Sequence, residues 1–306
     1  MKVYKIEHDN KLRRLNENKI KLEKKVQNIV EKNLELIFNI ELIKSEFTIK
    51  NRRIDTLAFD PEIKSFVIIE YKRDRSKSIV DQGYAYLRLL LEYKADFVLT
   101  FNGIKGENKN LQDIDWSQSK IIFITNRFLE YSKEALGLEM PFELWELSKF
   151  DDDTLILAKI EPIFSATLDE LTQINSKSEE IKKEIKVYDE LFHLDKRPSY
   201  IHDLYMSLKE EIKNIDENID IKPTKLYIAF KINAHNFVTT NFTNKRIDLY
   251  LSKLKEEFDD PKDFLENVPD SYNWGKICRF PIDSEDQIPY ALHLIKQSYE
   301  ILLRKL

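Results

Sequence analysis

Cysteine is almost missing from this chain, which has a single one, Cys278, among its 306 residues. One cysteine excludes a disulfide within the chain and a metal site built from several thiolates. It fits a reducing compartment, so we expect a cytoplasmic protein. Glycine is also scarce, with five residues. The abundance of lysine and isoleucine beside that scarcity indicates a bias of genome composition rather than a function.

Long apolar segments are missing as well. No apolar run approaches the roughly 18 residues of a spanning helix, so we expect no membrane association. The N-terminal residues lack the apolar centre of a signal peptide. The five histidines show no metal-ligand spacing and lie beside no serine or cysteine in a nucleophile setting; they are His8, His193, His202, His235 and His293. The sequence therefore offers no histidine metal site.

Positive charge is not in excess, because the net charge is −5 and the isoelectric point is about 5.7. A chain of this balance cannot bind nucleic acid through its overall charge and would need a local basic surface. The N-terminal segment offers seven basic residues that fit either such a surface or a solvated helix face: Lys11, Arg13, Arg14, Lys19, Lys21, Lys24 and Lys25. The length and the 42% hydrophobic content allow two domains with real cores.

Apolar periodicity predicts alternating helices and strands up to residue 160. Leu22, Val26, Ile29, Val30 and Ile37 recur at helical spacing. The expected elements are a strand and turn within 1–18, a helix over 19–38, strands over 43–49, 53–59 and 65–71, a helix from Ser78, strands over 96–101 and 120–125, a helix near 127–136, and strands near 142–147 and 154–160.

Three charged residues stand out in the second and third of these consecutive strands. Asp55 interrupts one strand, and Glu70 and Lys72 close the next after the continuous apolar run 66–69. A period of two places Glu70 and Lys72 on one face, and hairpin pairing brings Asp55 to it. A buried carboxylate is costly unless it has a partner. Two carboxylates suit a Mg²⁺ ion that keeps several waters, and the lysine can position or help deprotonate the attacking water of a phosphodiester hydrolysis.

These residues, in this order, resemble the PD-(D/E)xK nuclease superfamily. The segments Arg53-Ile54-Asp55, Ile69-Glu70-Tyr71-Lys72 and Gln82-Gly83-Tyr84-Ala85-Tyr86 are together similar to the catalytic half of NucS-like DNA endonucleases, over residues 15–160. Ile54 stands where the family usually has a proline. The resemblance implies a restriction-endonuclease-like α/β fold, in which helices flank a mixed sheet. It also implies Mg²⁺ or Mn²⁺ as the metal and DNA as the substrate class of a hydrolase.

The resemblance also assigns roles outside this set. It makes Gln82 a site residue that positions water or a phosphate, and Tyr86, four residues on, shares the helix face of Gln82 and supports the site. The first helix should supply another acid as a metal ligand, and the resemblance favours Glu23. Sequence spacing leaves three other acids open: Glu31, Glu35 and Glu46.

Basic residues around the set are candidate nucleic-acid ligands. Arg53 has the strand parity of Asp55, so it contacts the scissile phosphate or pairs with Asp55. Arg73 and Arg75 follow Lys72 and are either backbone-phosphate contacts or members of an exposed loop. Tyr86 belongs to the same candidate surface.

The second half of the chain predicts a smaller, separate α/β domain. We expect a nuclease-like domain over 1–160, a linker rich in Ser, Thr, Lys and Glu over 161–186, and a second domain over 187–306. Its expected elements are helices over 198–216 and 284–303 and strands over 225–231, 236–242 and 246–251. The run Ser284-Glu285-Asp286-Gln287 fits a capping box at the start of the last helix.

Segments of this second domain, 226–231, 236–238 and 295–300, resemble an uncharacterised domain often found behind such nuclease domains. That family lends no activity. NucS-like enzymes carry a DNA-binding, dimerising domain ahead of the nuclease domain, whereas the extra domain follows it here, so a homodimer stays open. Two other functions also stay open: a nuclease fold that binds nucleic acid without turnover, and a defence or regulatory protein whose second domain binds a partner.

Overall fold

The structure is a computed structural model that describes residues 2–18, 23–72, 79–129, 140–160, 181, 183–269 and 275–305. The chain divides into two compact units. One contains Met1–Glu35 and Ile40–Val187, and the other contains Leu36–Asn39 and Tyr188–Leu306.

The described residues up to 160 form eight strands and four helices. The strands are β1 (Val3–Ile6), β2 (Leu12–Leu15), β3 (Glu41–Ile49), β4 (Arg52–Asp60), β5 (Ser65–Lys72), β6 (Lys120–Thr125), β7 (Phe142–Lys149) and β8 (Leu155–Ile160). The helices are α1 (Glu23–Glu31), α2 (Leu34–Phe38), α3 (Ile79–Glu92) and α4 (Lys94–Lys105), with single 3₁₀ turns at His8–Asn10, Leu111–Asp113 and Trp116–Gln118.

The main sheet of the first unit is mixed, with the strand order β3-β4-β5-β6-β7-β8. The strands β3, β4 and β5 form an antiparallel meander, β5, β6 and β7 run parallel, and β8 returns antiparallel. Because parallel strands end on the same side, the last residues of β5, β6 and β7 share one border of the sheet. We call this border the carboxyl edge; it is defined by Lys72, Thr125 and Lys149.

Helices cover both faces of this sheet. On one face Phe66 and Ile68 of β5 pack with Leu87 of α3 and with Phe97 and Phe101 of α4. On the other face α1 lies against β4 and β5. A strand buried on both faces reads as a continuous apolar run, which explains the run 66–69. The fold class, a mixed α/β sheet flanked by helices, is confirmed.

Local predictions in this unit were mostly right. The three strands predicted over 43–49, 53–59 and 65–71 are β3, β4 and β5. The helix predicted over 19–38 is in fact α1 and α2, with a break at residues 32–33. Residues 19–22 and 130–139 lie outside the described residues, and so does most of the helix predicted near 127–136.

The strand predicted over 96–101 was wrong, because this segment lies inside α4. Its buried side chains, Phe97, Val98 and Phe101, follow a helical spacing, and Leu99 between them is 71% exposed. A short apolar run fits either a buried strand or a helix face, and here packing against Phe47, Phe59 and Phe66 of the sheet selected the helix.

The second unit is built around an antiparallel sheet with the order β13-β14-β12-β11-β10-β9. Its strands are β9 (Asp220–Pro223), β10 (Ile228–Ile232), β11 (His235–Phe242), β12 (Ile247–Leu251), β13 (Glu266–Asn267) and β14 (Cys278–Ile282). Its helices are α5 (Glu190–Leu194), α6 (Ser199–Lys213) and α7 (Ile288–Leu303), with 3₁₀ turns at Lys255–Glu257 and Glu285–Gln287. Helices and strands share one core, in which Tyr205, Phe230 and Leu294 are fully buried.

The second unit confirms the predicted helices and the capping box at Ser284 and Gln287. It also contains β9, β13 and β14, which sequence periodicity did not indicate. Cys278 lies buried in β14, and burial raises the pKa of its thiol to about 12, so it is an inert core residue.

Most of the predicted linker, 161–180 and 182, lies outside the described residues. Ile181 and Ile185 are buried in the core of the first unit. The boundaries predicted for the two domains remain predictions. In the described part of the chain, no helix combines the length and the apolar character needed to span a membrane.

Candidate active site

The antiparallel strands β4 and β5 place Asp55 and Glu70 opposite each other. Their last regular backbone pair is Thr56 with Ile69. At the next position the carboxylates replace the backbone ladder. The Asp55 N–H donates to Glu70 Oε1 at 3.2 Å, and the Tyr71 N–H donates to Asp55 Oδ2 at 3.1 Å. Each acid is therefore held by the other strand's main chain.

Lys72 joins the two acids at the carboxyl edge. Its Nζ lies 3.3 Å from Glu70 Oε2, as expected for two residues with the same strand parity. Glu70 is 2% exposed. The ammonium group of Lys72 is the cation nearest to this buried carboxylate among the ion pairs of the described residues.

Helix α3 adds two polar side chains from above the sheet. Gln82 Nε2 donates to Glu70 Oε2 and to the Tyr86 hydroxyl, both at 3.1 Å. The Tyr86 hydroxyl donates to the carbonyl oxygen of Arg53 at 3.1 Å. Gln82 and Tyr86 lie one helical turn apart on the same face, so they act as one bracket over Glu70.

Gly83 lets α3 approach the sheet closely enough for this bracket. A Cβ atom at this position would lie 2.5 Å from the ring of Phe142 in β7, a distance that real Cβ atoms essentially never show. The missing side chain therefore fixes the height of α3 over the sheet, and with it the reach of Gln82 to Glu70.

The site contains more negative charge than its cations balance. Burial, and then the charge of Asp55, raise the pKa of Glu70 to about 7 against the smaller opposing effect of Lys72. Burial also raises the pKa of Asp55, and the nearby charges of Glu46 and Glu23 add to this shift. Two buried carboxylates that repel each other form a site that a cation would stabilise.

Glu23 and Glu46 are the predicted acids near Asp55. Both carboxylates contribute to the raised pKa of Asp55. Glu46 lies in β3 across from Asp55 and has a left-handed φ of 54°, which is costly for a residue with a side chain. Its carboxylate contacts Lys24 Nζ at 2.7 Å and Arg53 Nε at 3.1 Å.

Glu31 and Glu35, the other two candidates, lie away from this group. Glu31 Oε1 accepts hydrogen bonds from Thr56 Oγ1 at 2.6 Å and Gln27 Nε2 at 2.9 Å, on the sheet face that α1 covers. Glu35 is exposed on α2. Glu23 and Glu46 are therefore the two candidates whose charges act on Asp55.

Gln27 is a site residue that sequence reasoning missed. It is almost fully buried, and its Nε2 donates to the carbonyl oxygen of Asp55 at 2.7 Å. The signal was present, since Gln27 interrupts the apolar stripe of α1 between Val26 and Val30. A polar residue within a buried stripe needs a buried partner.

The predicted basic ligands have separate outcomes. Arg53 pairs with Glu46 rather than with Asp55, and its side chain is largely exposed. Arg73 and Arg75 lie outside the described residues. Thr125, which no sequence pattern indicated, pairs in register with Lys72 at the carboxyl edge, and its buried hydroxyl has no hydrogen-bond partner within the described ranges.

The donor set fits a hard cation that keeps part of its water shell. No three His, Cys, Asp or Glu side chains of the described residues are grouped closely enough to hold a metal by themselves. Asp55 and Glu70 would supply two carboxylates. Mg²⁺ commonly binds through one or two carboxylates and retains several waters, whereas a structural Zn²⁺ site needs four protein ligands.

One full-length relative matches this chain closely. An uncharacterized protein of Haemophilus influenzae is 43% identical over 291 residues, which cover 94% of this chain and 96% of that protein. A family model described as a domain of unknown function, DUF5655, matches residues 192–301. This match falls within the predicted second domain and carries no activity.

Three solved structures show weaker similarity. The EndoMS–dsDNA2 complex matches with 20% identity and a TM-score of 0.25, over 40% of this chain and 44% of that one. A repair endonuclease from Pyrococcus abyssi matches with 18% identity and a TM-score of 0.22, over 39% of this chain and 43% of that one. Pyrococcus furiosus SfsA in complex with Ca²⁺ matches with 17% identity and a TM-score of 0.26, over 52% of this chain and 76% of that one. TM-scores of this size do not define a shared fold.

Proposed function

The chain belongs to one family with the Haemophilus influenzae protein, and we propose that it is a metal-dependent nuclease that hydrolyses phosphodiester bonds in DNA. The metal would be Mg²⁺ or Mn²⁺. The residues that would hold it are Asp55 and Glu70, with Glu23 or Glu46 as the next acid. The choice of DNA follows from the resemblance of Asp55, Glu70, Lys72 and the Gln82 helix to NucS-like endonucleases.

The observation that carries this proposal is the buried, crowded pair of carboxylates beside one lysine. A carboxyl that only supported the fold would gain by having donors and no second acid next to it. Glu70 instead faces Asp55 in a desolvated position, which raises its pKa to about 7. Perturbed groups of this kind are typical of functional sites, because the same burial that destabilises the apoprotein strengthens binding of a cation.

Lys72 has a separate task. Its ammonium group carries three N–H donors, and one of them points to Glu70 Oε2. The other two can hold a water or a phosphate oxygen beside the same carboxylate. This arrangement fixes the nucleophile for in-line attack at phosphorus. The ion, when bound, stabilises the negative charge that develops on the phosphate.

Gln82 and Tyr86 position the carboxylate of Glu70 and take no part in the chemical step. The amide of Gln82 donates to Glu70 and thereby fixes the orientation of its carboxylate. The Tyr86 hydroxyl ties that amide to the main chain of β4 through the Arg53 carbonyl. Gln27 fixes the main chain of β4 from the α1 face, where its amide donates to the Asp55 carbonyl.

The test is cleavage of end-labelled single-stranded, branched and mismatched DNA with Mg²⁺, Mn²⁺ or EDTA. The variants are Asp55→Asn, Glu70→Gln and Lys72→Met. The first two keep an acceptor for the amides of Asp55 and Tyr71, so that the loss of a backbone partner is not mistaken for the loss of a ligand. The matched control is Lys64→Met. Lys64 lies in the turn between β4 and β5, at the opposite end of these strands from Lys72.

We expect metal-dependent cutting by the wild type and by Lys64→Met, and none by the three site variants. Cutting that persists in Glu70→Gln would place the chemistry elsewhere. If no DNA is cut and binding is independent of metal, the nuclease proposal fails and a nucleic-acid-binding protein on the same fold takes its place.

A further inference from the structure

The strands β1 and β2 with the turn between them form a hairpin, residues 3–15, whose inner side is anchored to the body of the first unit. Lys5 Nζ lies 3.7 Å from Asp152 Oδ2, and Arg13 Nη1 lies 3.7 Å from Asp151 Oδ1. Lys5 and Arg13 are register partners, so both project from the same face. Arg13 also pairs with Glu7 of the hairpin at 2.7 Å, so both cations of this face have acidic partners.

The outer face of the N-terminal hairpin has a different character. Ile6 and Leu12 pair at its tip and are 70% and 64% exposed. Behind them Tyr4 pairs with Arg14, and both are exposed. Arg14 takes part in no ion pair within the described part of the chain. An exposed aliphatic pair beside an aromatic ring and a cation contributes nothing evident to folding.

The N-terminal hairpin is attached at the carboxyl edge. The Asn18 N–H donates to the Lys149 carbonyl at 2.7 Å, and Glu17 forms a β-bridge with Phe150. Lys149 ends β7, which is separated from β5 only by β6. Two strand spacings are about 10 Å, and Lys149 lies three residues, about 10 Å, beyond Glu146, which is level with Thr125 and Lys72. The hairpin is therefore rooted on the same border of the sheet as Lys72, roughly 14 Å from it.

The charge of the hairpin differs from that of the chain. Residues 3–15 contain four basic and two acidic side chains, a net charge of +2, whereas the whole chain has −5. The basic residues of the hairpin that take part in no described ion pair are Lys11 and Arg14. A local positive surface on an acidic protein, rooted on the border of the sheet that carries Lys72, is complementary to a polyphosphate backbone.

We propose that the N-terminal hairpin is a nucleic-acid wedge that rests Ile6 and Leu12 against unstacked bases, with Arg14, on the same face, against a flanking phosphate. Apolar wedges of isoleucine or leucine flanked by arginine and lysine are a known way to hold kinked DNA, and Tyr4 can stack on an exposed base. The inference rests on the proposed nuclease function.

Binding without cleavage tests this inference separately from the chemistry. Fluorescence anisotropy in EDTA would compare the full chain on a labelled duplex with a three-base bulge and on the same duplex fully paired. The variants are Ile6→Ser combined with Leu12→Ser, and Arg14→Ser. The control is Leu99→Ser, which removes an equally exposed leucine from α4. Circular dichroism melting confirms that each variant is folded.

We expect the double variant to lose about tenfold in affinity for the bulged duplex, the size of one lost base-stacking contact, and little for the paired duplex. A 2-aminopurine base in the bulge should brighten on binding the wild type and not the double variant. Arg14→Ser should weaken both DNAs and reduce the salt dependence of binding. Leu99→Ser should match the wild type.

Three results would overturn the wedge. The first is unchanged affinity in the double variant. The second is an equal loss with Leu99→Ser. The third is a change of molar mass in solution in the double variant, which would make the hairpin a self-association surface. Metal-dependent cutting by the wild type would still support the nuclease in all three. Conversely, selective loss of bulge binding without any cutting would support the wedge and reject the nuclease.

Discussion

Neighbouring residues of β4 and β5 carry polar clusters on opposite faces of the sheet, and the two clusters differ in charge balance. On the α3 face Asp55 and Glu70 oppose each other, and burial raises the pKa of both. On the α1 face the carboxylate of Glu31 accepts hydrogen bonds from Thr56 and Gln27. The comparison teaches that burial of polar groups does not by itself indicate function. A surplus of buried like charge, by contrast, favours the binding of a cation.

The largest expected effect comes from exchanging the acid on each face. Glu70→Gln should lower metal-dependent cleavage by a factor on the order of 10³, because the variant loses a carboxylate in the transition-state environment. Glu31→Gln should retain cleavage within a few fold, since the amide still accepts from Thr56. Single-turnover rates at saturating Mg²⁺ measure both. Equal losses of cleavage rate in the two variants would show that the two faces do not differ in their importance for cleavage.

The next effect is a pH dependence of stability confined to the α3 face. The pKa of Glu70 is raised from 4.5 to about 7, so its protonated form favours the fold. This contribution is complete below pH 4.5 and is lost as the pH rises through 7, a loss of about 3 kcal/mol. Urea unfolding in EDTA should show the loss in the wild type and in Glu31→Gln but not in Glu70→Gln. At pH 8 Mg²⁺ should restore stability to the wild type and to Glu31→Gln but not to Glu70→Gln, and a flat difference curve would contradict the prediction.

A smaller effect is expected from a substitution on the α1 face, where Glu31 has hydrogen-bond donors. Thr56→Val removes the hydroxyl that donates to Glu31 Oε1 at 2.6 Å. The free energy of unfolding should fall by about 1–2 kcal/mol, the cost of a lost hydrogen bond to a charged acceptor. The apparent Mg²⁺ affinity should stay that of the wild type. Thermal melts with and without Mg²⁺ check both quantities, and a lost Mg²⁺ response would connect the two faces.

The smallest expected effect tests the height of α3. Gly83→Ala forces the Phe142 ring to move, and the better helix propensity of alanine partly offsets the overpacking, so a net destabilisation of about 1 kcal/mol is expected. The cleavage rate should fall by more than this small loss of stability explains, because Gln82 no longer reaches Glu70. The control Gln82→Ala should lower cleavage by a similar factor and leave the melting temperature unchanged.

Much of the site was predictable because it depends on short-range rules. Strand parity joins Glu70 with Lys72, and a hairpin turn brings Asp55 opposite them, so period and turn chemistry suffice. The third acid was not predictable in this way. Its choice between Glu23 and Glu46 depends on where α1 begins and on a left-handed residue within β3. Neither leaves a periodic signal.

The fold shows the same division between local and tertiary information. The strands 43–49, 53–59 and 65–71 were predicted because polar turns bound them. The segment 96–101 was misassigned because its apolar run is as short as a strand, and only packing on the phenylalanines of the sheet decides for a helix. Gln27 was missed for the same reason, since its partner is a main-chain carbonyl 28 residues away.

The exchange of partners between Asp55 and Glu70 makes one backbone amide a natural reporter of occupancy. The Asp55 N–H is protected from solvent deuterium by Glu70 Oε1, a side-chain oxygen that a cation would also recruit. The Tyr71 N–H is held by Asp55 Oδ2, so a ligand can approach the other oxygen, Oδ1, without competing with this hydrogen bond. Hydrogen–deuterium exchange should therefore accelerate at Asp55 and change little at Tyr71 when Mg²⁺ is added. Ligand entry could then be followed in a protein that has been given nothing to cut.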